Sequence, residues 1–364
     1  MMFHICFTNP KAWEISYQKG VYGNVEGEND QEQTLWGKVA DLLAIKKGDY
    51  VFFYIKKSMV LAGLFEVTSE PYYCEDYLFE DETQCYPFRF NFKEVSAYKK
   101  YIPVSELAKL IQMGNLFSIS TFERDANATF RGIRQITSLE ADNLKKILLR
   151  YNPKVNTDDV KTYEEISVSD TLLEARELIS RKEEGETFET PTALKLTLIP
   201  TKLKRVRDNY YISKYENALQ GYIYYCIKRN LKNIISDLDL NNSIQWLLEA
   251  PILHTQQFRS DILCLYNEIN EAPHFYSIIE IKRDQKITIS DLSQLIGYMK
   301  AYADLKKIPF SSIEGIYISN KFEEGVTNYL KSRKDTENEN PIRLIEYSTN
   351  EEGVVTFEEL FVEV

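Results

Sequence analysis

A carboxylate and an amine stand two residues apart, at Glu280 and Lys282, inside the otherwise apolar run 275–283. Residues i and i+2 lie on the same face of a β-strand, so a strand here would present both charges to one side. Because a buried charge is costly unless it is paired or bound to a metal, this spacing indicates a functional site. A second strand-like run, 258–266, carries Asp261. An Asp followed by Glu-x-Lys on the next strand is the pattern of a metal-dependent phosphodiesterase centre.

Hydrolysis of a phosphodiester at such a centre requires a divalent cation, which polarises the phosphate and lowers the pKa of a bound water. Mg²⁺ prefers oxygen ligands and keeps several waters, so two or three carboxylates are enough to hold it. Lys282 is predicted to orient the attacking water or to balance developing negative charge. The predicted oxygen ligands of Mg²⁺, or of Mn²⁺ in its place, are Asp261, Glu280, Glu216 and the backbone carbonyl of Ile281.

Helices and strands must bring these residues together. The two strand-like runs are predicted to form a hairpin, which would bring Asp261 and Glu280 to one edge of a sheet. A helix over 213–229 would carry Glu216 toward that edge. From about residue 208 the predicted order is helix, strand, strand, helix, strand, helix, strand, which favours a mixed sheet flanked by helices.

A further helix is predicted to follow the Glu-x-Lys strand, from a cap at Ser290 or Asp291 through Ala303. It places Gln294 and Tyr298 four residues apart on one helical face. With the acidic strands before it, this helix resembles the PD-(D/E)XK nuclease superfamily, and in particular its RecB-like branch with a Gln-x-x-x-Tyr motif.

The resemblance covers about residues 208–347 and implies a restriction-endonuclease-like mixed sheet flanked by helices. Ser260 departs from the family, which often has proline at that position. The competing interpretation is a degenerate nuclease fold in which Glu280 and Lys282 form a structural pair. The catalytic positions implied by the resemblance are Asp261, Glu280 and Lys282, with Glu216 as the helix-borne acid and Gln294 and Tyr298 as the accessory motif.

Residues 1–150 are predicted to form a separate, strand-rich α/β domain. A Gly48-Asp49 turn precedes the aromatic run 50–55, and the run 88–95 alternates aromatic and polar residues at the period of a half-buried strand. Together with the segments 7–15, 20–23, 62–67 and 86–90, in this order, these runs resemble an EVE domain, of the PUA-like group that also includes YTH readers. The resemblance implies a small PUA-like β-barrel with helices and an aromatic-lined pocket.

Members of that family are associated with modified nucleobases in DNA or RNA. A base flipped out of a duplex can be stacked on aromatic faces and read at its edge by polar groups. Trp13, Tyr22 and Trp36 are the candidate stacking residues, and Asn9 is the candidate edge reader. Tyr22 stands where relatives often carry Trp. The competing interpretation places each aromatic residue in the core, and for Trp36 in the packing of a helix.

Two basic groups are candidate contacts to a nucleic-acid backbone, and each is equally compatible with a solvated surface. The first precedes the end of the N-terminal domain, and the second precedes the nuclease-like region. Their members are Arg124, Arg131 and Arg134 in the first group, and Lys204, Arg205 and Arg207 in the second.

Composition limits the alternatives. The chain has 364 residues, which favours two domains, and its net charge of −11 argues weakly against a nucleic-acid partner. Much of the acidic excess lies in a short middle segment, where a helix over 170–184 is predicted. Five scattered cysteines, the lack of an N-terminal signal pattern and the lack of a spanning apolar stretch favour a reduced, cytoplasmic, membrane-free protein. Three histidines argue against a His-based zinc site or a Ser-His-Asp triad.

The sequence therefore predicts a modified-base-binding domain over 1–150, an acidic helical linker with a basic end over 151–207, and a nuclease domain over 208–364. The combination suggests a modification-dependent restriction endonuclease acting on double-stranded DNA, with two chains pairing as a homodimer to cut both strands. Two other functions stay open: a structure-specific or repair DNA nuclease, and a non-catalytic binder of modified RNA or DNA.

Overall fold

The chain folds into two units, Met1–Lys204 and Arg205–Val364, and each is built around its own sheet. None of the described helices is long and apolar enough to cross a membrane. Most of the predicted linker, including its helix over 170–184, lies outside the described residues. In this computed structural model those residues are 2–26, 32–74, 78, 85–95, 98, 100–119, 122, 132–153, 216–228, 243–252, 259–266, 276–283, 285–337, 342–349 and 355–360.

The first unit contains a curled, half-barrel sheet with helices, in the spatial order β2-β6-β4-β3-β1-β8. The short strands β5 and β7 pair with β6 and β4, and among the described strands of this unit only β1 and β3 pair in parallel. The strands are β1 (Phe3–Thr8), β2 (Val21–Glu26), β3 (Tyr50–Ile55), β4 (Val60–Val67), β5 (Tyr72–Tyr73), β6 (Cys85–Glu94), β7 (Ile102–Pro103) and β8 (Ile133–Ile136). The helices are α1 (Pro10–Lys19), α2 (Glu32–Leu43), α3 (Val104–Gln112) and α4 (Ser138–Tyr151).

The central strands β1 and β3 are buried on both faces, which explains their nearly continuous apolar sequences. Alternate side chains of β1, including Phe3 and Ile5, join a core with Phe52 on β3 and with apolar residues of α3 and α4. Phe53, the neighbour of Phe52, points to the opposite face because side chains alternate along a strand. There it packs against Trp13 of α1.

The local sequence fixes both ends of α1. Asn9 caps the helix, with its side-chain oxygen accepting a hydrogen bond from Ala12 N at 2.9 Å. Pro10 at the first helical position loses no helical hydrogen bond there. The helix ends at Gly20, whose φ of 63° is left-handed, and a Cβ at this position would lie 2.9 Å from the Phe92 carbonyl oxygen.

The second unit contains a mixed sheet in the order β14-β13-β12-β11-β10-β9, flanked by helices. Strands β11, β12 and β13 pair in parallel, and the other pairs are antiparallel. The parallel pairs are connected through α6 and α7, as such crossovers require. The elements are α5 (Glu216–Lys228), β9 (Ser243–Pro251), β10 (Arg259–Tyr266), β11 (Tyr276–Ile281), α6 (Ile289–Lys306), a 3₁₀ turn (Phe310–Ser312), β12 (Ile313–Ser319), α7 (Glu324–Glu337), β13 (Ile342–Thr349) and β14 (Val355–Glu359).

The predicted hairpin is confirmed, since β10 and β11 pair antiparallel with Ile262 opposite Ile279. The predicted cap of α6 is wrong. Thr288 caps this helix, and Asp291 is its third residue, whose carboxylate accepts a hydrogen bond from Thr288 N. Strands β9 and β14 are additions to the predicted order. They lie at the two edges of the sheet, where pairing on one side leaves a weaker sequence pattern.

Candidate active site and nucleic-acid interface

Four polar side chains form a row across the second sheet. Because Ile262 lies opposite Ile279, Asp261 of β10 lies opposite Glu280 of β11. Glu280 in turn lies opposite Tyr317 of β12. On the other side, the pairing of β10 with β9 places Glu249 opposite Asp261. Since directly opposite residues share a face of a sheet, neighbouring strands present acids side by side.

The carboxylate of Asp261 is held at both oxygens. Ile281 N donates to Oδ2 at 2.6 Å, and Gln220 Nε2 of α5 donates to Oδ1 at 2.7 Å. Tyr224, one helical turn after Gln220, donates its hydroxyl to the Asp261 backbone oxygen at 3.2 Å. These hydrogen bonds fix the orientation of the carboxylate and join α5 to β10.

Glu216 and Lys282 form an ion pair, with Glu216 Oε1 3.3 Å from Lys282 Nζ. Glu216 is the first residue of α5, and Lys282 follows the last residue of β11. Lys282 N donates to the Ile318 oxygen at 2.9 Å, which continues the pairing with β12 by one residue. The helix-borne acid predicted from the sequence therefore contacts the predicted lysine.

Glu280 is almost completely buried, with 6% of its surface exposed, and its Oε1 accepts no hydrogen bond from any described residue. Burial raises the pKa of Glu280 well above its usual value, the charge of Asp261 raises it further, and Lys282 opposes the shift. Burial likewise raises the pKa of Asp261 to about 7, against the lowering effects of Lys282 and the Ile281 N–H. Burial and the proximity of the two carboxyl groups therefore favour their protonated forms.

Lys282 remains a cation in this environment. Burial lowers its pKa, but the combined attraction of Asp261, Glu216 and Glu280 outweighs burial and raises the pKa overall. An amine held in the charged form can stabilise negative charge and donate hydrogen bonds, whereas it cannot accept a proton.

The acidic pair fits a divalent cation. Within the described ranges, no three His, Cys, Asp or Glu side chains form a cluster that would hold an ion alone. Mg²⁺ is commonly bound by one or two carboxylates, with waters and substrate phosphates completing the shell. Asp261 and Glu280 meet that requirement, and the orphaned Oε1 of Glu280 provides a buried acceptor that a cation or its water can satisfy. Glu216, a predicted third ligand, contacts Lys282 instead.

The predicted pair on α6 is in contact, since Gln294 Nε2 donates to the Tyr298 hydroxyl at 2.7 Å. Tyr298 is buried, and burial raises its pKa. Glu280 raises that pKa further and Lys282 lowers it, which places the phenol within electrostatic reach of both residues.

Sequence reasoning missed four residues of this site. Gln220 and Tyr224 had a detectable signal, because with Glu216 they recur every four residues and so share one face of a helix. Glu249 and Tyr317 had none, because only the strand register places them beside Asp261 and Glu280.

The first unit contains an aromatic cluster around Trp13, which is completely buried. The Trp13 ring stacks on Tyr17 at 5.0 Å between centroids, and it lies 4.7 Å from Phe53 and 5.5 Å from Phe65. Its indole nitrogen is buried and has no acceptor among the described residues. Trp13 is a core residue in this structure, so a base could stack on it only after neighbouring rings move.

Tyr22 reaches the same cluster from β2. Its ring stacks on Phe90 at 5.0 Å and lies 6.0 Å from Phe53, and only 3% of the residue is exposed. Its hydroxyl donates to the Gly132 oxygen at 3.1 Å. A Cβ at Gly132 would lie 2.9 Å from that hydroxyl, so glycine permits the close approach. Burial raises the pKa of Tyr22, with Cys6 and Asp41 adding to the shift.

The other two predicted pocket residues have different surroundings. Trp36 is buried on α2, which agrees with the alternative that it packs a helix. Asn9 is exposed, but its side-chain oxygen is used to cap α1. The structure therefore brings Trp13 and Tyr22 together through Phe53, whereas the edge-reading role of Asn9 stays a prediction.

Arg134 of β8 is 9% exposed, which leaves little of it accessible to a phosphate. The remaining members of the two predicted basic groups, Arg124, Arg131, Lys204, Arg205 and Arg207, lie outside the described residues. Lys56 and Lys57, which directly follow β3, are exposed, and Lys56 N donates to the Thr8 oxygen at the end of β1. Two exposed amines therefore lie beside the strand end from which α1 and Asn9 begin.

Comparison with known proteins concerns the first unit. Residues 5–138 match the EVE domain family. A UPF0310 protein of Pyrococcus abyssi (strain GE5 / Orsay) is 27% identical over 118 residues, which are 28% of this chain and 75% of that protein.

Two solved structures are similar at low levels. The human THYN1 protein in complex with DNA containing 5-methylcytosine is 17% identical with a TM-score of 0.29, covering 41% of this chain and 98% of that one. The DUF55 domain of human thymocyte nuclear protein 1 is 18% identical with a TM-score of 0.28, covering 40% and 98%. By the family match, residues 5–138 of this chain form an EVE domain.

Proposed function

We propose that this chain is a Mg²⁺-dependent DNA endonuclease directed by a modified base. The EVE domain would bind DNA that carries the modification, and the second unit would hydrolyse a phosphodiester nearby. The observation that carries the catalytic half is the pairing of Asp261 with Glu280, both with raised pKa values, beside the cationic Lys282. Strongly perturbed pKa values of buried acids cluster at functional sites.

The residues of the second unit have distinct roles in this proposal. Asp261 and Glu280 would hold the cation, which when bound polarises the phosphate and lowers the pKa of a water. Lys282 would stabilise the negative charge that develops on the phosphate, since its raised pKa keeps it protonated. Glu216 would keep the Lys282 amine in place through their ion pair.

The raised pKa of Lys282 argues against a general-base role and is compatible with both roles predicted for it, which are to orient the attacking water and to balance developing negative charge. A general base must accept a proton, and an amine whose pKa is raised by three carboxylates cannot do so near neutral pH. Lys282 therefore acts as an electrostatic group and as a hydrogen-bond donor to phosphate or water.

The match to the EVE domain family supports the proposal that the first unit recognises a modified base. The domain contains a buried aromatic cluster on which a base could stack only after neighbouring rings move, and the Tyr22 hydroxyl, which donates to the backbone oxygen of Gly132, is a polar group within that cluster. The first modification to test is 5-methylcytosine, the base present in the DNA bound to human THYN1. Exposed Lys56 and Lys57 offer contacts to the phosphate backbone.

Matched duplexes test the proposal. The same sequence is prepared unmodified, with 5-methylcytosine, and with other modified cytosines and adenines, and each is incubated with the full chain and Mg²⁺ or EDTA. We expect Mg²⁺-dependent cleavage of at least one modified duplex and not of the unmodified one. Equal cutting of all duplexes would indicate a structure-specific or repair nuclease. Tight binding of modified DNA or RNA without cutting would indicate a non-catalytic binder.

A further inference from the structure

Gln220 has no role in the proposed nuclease function, yet it contacts Asp261 in the row of four polar side chains. We propose that Gln220 is a positioning residue, which orients the Asp261 carboxylate toward a bound cation and accepts a hydrogen bond from a water of that cation. This inference rests on the proposed metal-dependent function of the second unit.

Gln220 holds the Asp261 carboxylate by direct contact. Gln220 is 3% exposed, and its Nε2 lies 2.7 Å from Asp261 Oδ1. The other carboxylate oxygen accepts from Ile281 N. An ionised carboxylate has about four acceptor sites, so two hydrogen bonds leave a lone pair on each oxygen for a cation. The two donors therefore fix the plane of the Asp261 carboxylate and still leave both of its oxygens able to bind a metal.

Two buried side-chain oxygens next to Asp261 are unsatisfied within the described part of the chain. Gln220 Oε1 is buried and accepts no hydrogen bond from the described residues, and the same is true of Glu280 Oε1. Buried acceptors in native proteins are almost always satisfied, by protein or by ordered water. Both orphaned oxygens belong to side chains that border Asp261, since Gln220 bonds to it directly and Glu280 lies opposite it. Hydration waters of a cation supply the donors that both oxygens lack.

The chemical nature of an amide suits this position. An arginine or lysine here would neutralise Asp261 and compete with a cation for it. A carboxylate would add repulsion to a pair whose pKa values are already raised. The neutral carboxamide donates to Asp261 with one end and accepts from water with the other, and adds no net charge.

Position on α5 supports the same role. Glu216, Gln220 and Tyr224 follow one another at intervals of four residues, and each donates to or accepts from a residue of β10 or of the segment after β11. One helical face thus orients both the acid and the lysine of the site. Outer partners of metal ligands commonly change metal affinity by about 10- to 100-fold when they are mutated.

The test measures Mn²⁺ binding to the full chain without DNA, by the electron paramagnetic resonance of free Mn²⁺. Gln220→Met and Gln220→Leu preserve much of the side-chain volume but remove both polar ends. We expect each variant to bind Mn²⁺ about 10- to 100-fold more weakly than the wild-type chain. Gln285→Met is the matched control, because Gln285 is an exposed glutamine of the same unit, and it should bind Mn²⁺ as the wild-type chain does. All measurements are made well below the melting transition of each variant, so that only folded protein is compared.

The outcomes separate this inference from the proposed function. Wild-type affinity in both folded Gln220 variants would overturn the positioning role, whether or not the chain cuts DNA. Mn²⁺ binding that weakens as expected, in a chain that cuts no DNA, would support the positioning role and count against the nuclease. No Mn²⁺ binding by the wild-type chain would overturn both. A single-turnover cleavage rate that falls in Gln220→Met and recovers at high Mg²⁺ would add support, because it points to metal occupancy.

Discussion

Lys282 Nζ lies 3.3 Å from Glu216 Oε1, so the amine beside the pair of Asp261 and Glu280 is held by an acid of α5. Each side chain is partly exposed, at 25% and 33%, which leaves the amine accessible to a phosphate. An ion pair of this kind contributes little to stability on its own. The ion pair matters for orientation, because it holds the charged amine of Lys282 on the same side of the sheet as Asp261 and Glu280.

Lys282→Met should lower the single-turnover rate of Mg²⁺-dependent cleavage by at least about 100-fold, because a group that stabilises transition-state charge is lost. The matched control is Lys286→Met, which removes an exposed lysine four residues later and should leave the rate unchanged. Circular dichroism checks that both variants are folded. Full activity of folded Lys282→Met would remove the lysine from the proposed mechanism.

Asp261→Ala should abolish cleavage and greatly weaken Mn²⁺ binding, because it removes a predicted ligand whose two oxygens are already oriented by Ile281 and Gln220. Glu358→Ala changes a carboxylate at the edge of the same sheet and serves as the control. Cleavage by Asp261→Ala at the wild-type rate would show that this acid is not part of the active site.

Without a divalent cation, the stability of the second unit should fall as pH rises from about 4 to about 7. The pKa of Asp261 is raised from 3.8 to about 7 in the fold, and that of Glu280 is raised in the same direction, so the folded state binds more protons than the unfolded state in this window. The free energy of unfolding therefore decreases with pH. Urea denaturation in EDTA across this range measures the slope.

The dependence of stability on proton binding can also be tested with a mutation of Asp261 and with added Mg²⁺. Asp261→Asn removes one of the two facing charges, so it should flatten the pH slope and raise Tm at pH 8 in EDTA. Addition of Mg²⁺ should raise the wild-type Tm more at pH 8 than at pH 5, because protons compete with the cation at low pH. An unchanged slope in Asp261→Asn would contradict the assignment of the raised pKa values to this pair.

Trp13→Ala should destabilise the first unit by about 3–5 kcal/mol, because it removes a completely buried ring from an aromatic cluster. If the Trp13→Ala variant lost DNA binding, the cause would be the loss of the folded domain. Tyr22→Phe is the sharper variant, because it removes only the hydroxyl that bonds to Gly132. It should keep the fold and change the ratio of affinities for modified and unmodified duplex. An unchanged ratio in fluorescence anisotropy would count against a role of the Tyr22 hydroxyl in reading the base.

Lys56→Ala combined with Lys57→Ala should weaken binding to modified and unmodified DNA by the same factor. The salt dependence of affinity should become shallower by about one unit of slope for each phosphate that the variant no longer neutralises. Lys146→Ala, an exposed change on α4, is the control for a general loss of positive charge. A selective loss of affinity for modified DNA would contradict a role limited to the backbone.

The strands and helices that carry the site were predictable because their sequence patterns are strong. The hairpin of β10 and β11 agrees with the two strand-like runs, and α6 agrees with the four-residue spacing of Gln294 and Tyr298. Element ends were less predictable. The cap of α6 lies at Thr288 because Thr288 and Asp291 satisfy each other's backbone donors, an exchange that Ser290 does not make in this structure. The aromatic residues of the first unit carried an ambiguity that periodicity could not resolve, since core rings and stacking rings have the same residue types.

By itself the sequence determined which chemistry is available, because the spacing of Glu280 and Lys282 fixes their common face wherever that strand lies. It also determined the Gln294–Tyr298 contact, since residues four apart on a helix are always neighbours. Only the tertiary structure decided which groups surround these residues. Gln220 contacts Asp261 across 41 residues of chain, and strand register places Glu249 beside Asp261 and Tyr317 beside Glu280. Local spacing contains no information on such contacts, because they depend on how separate elements pack and on which strands pair.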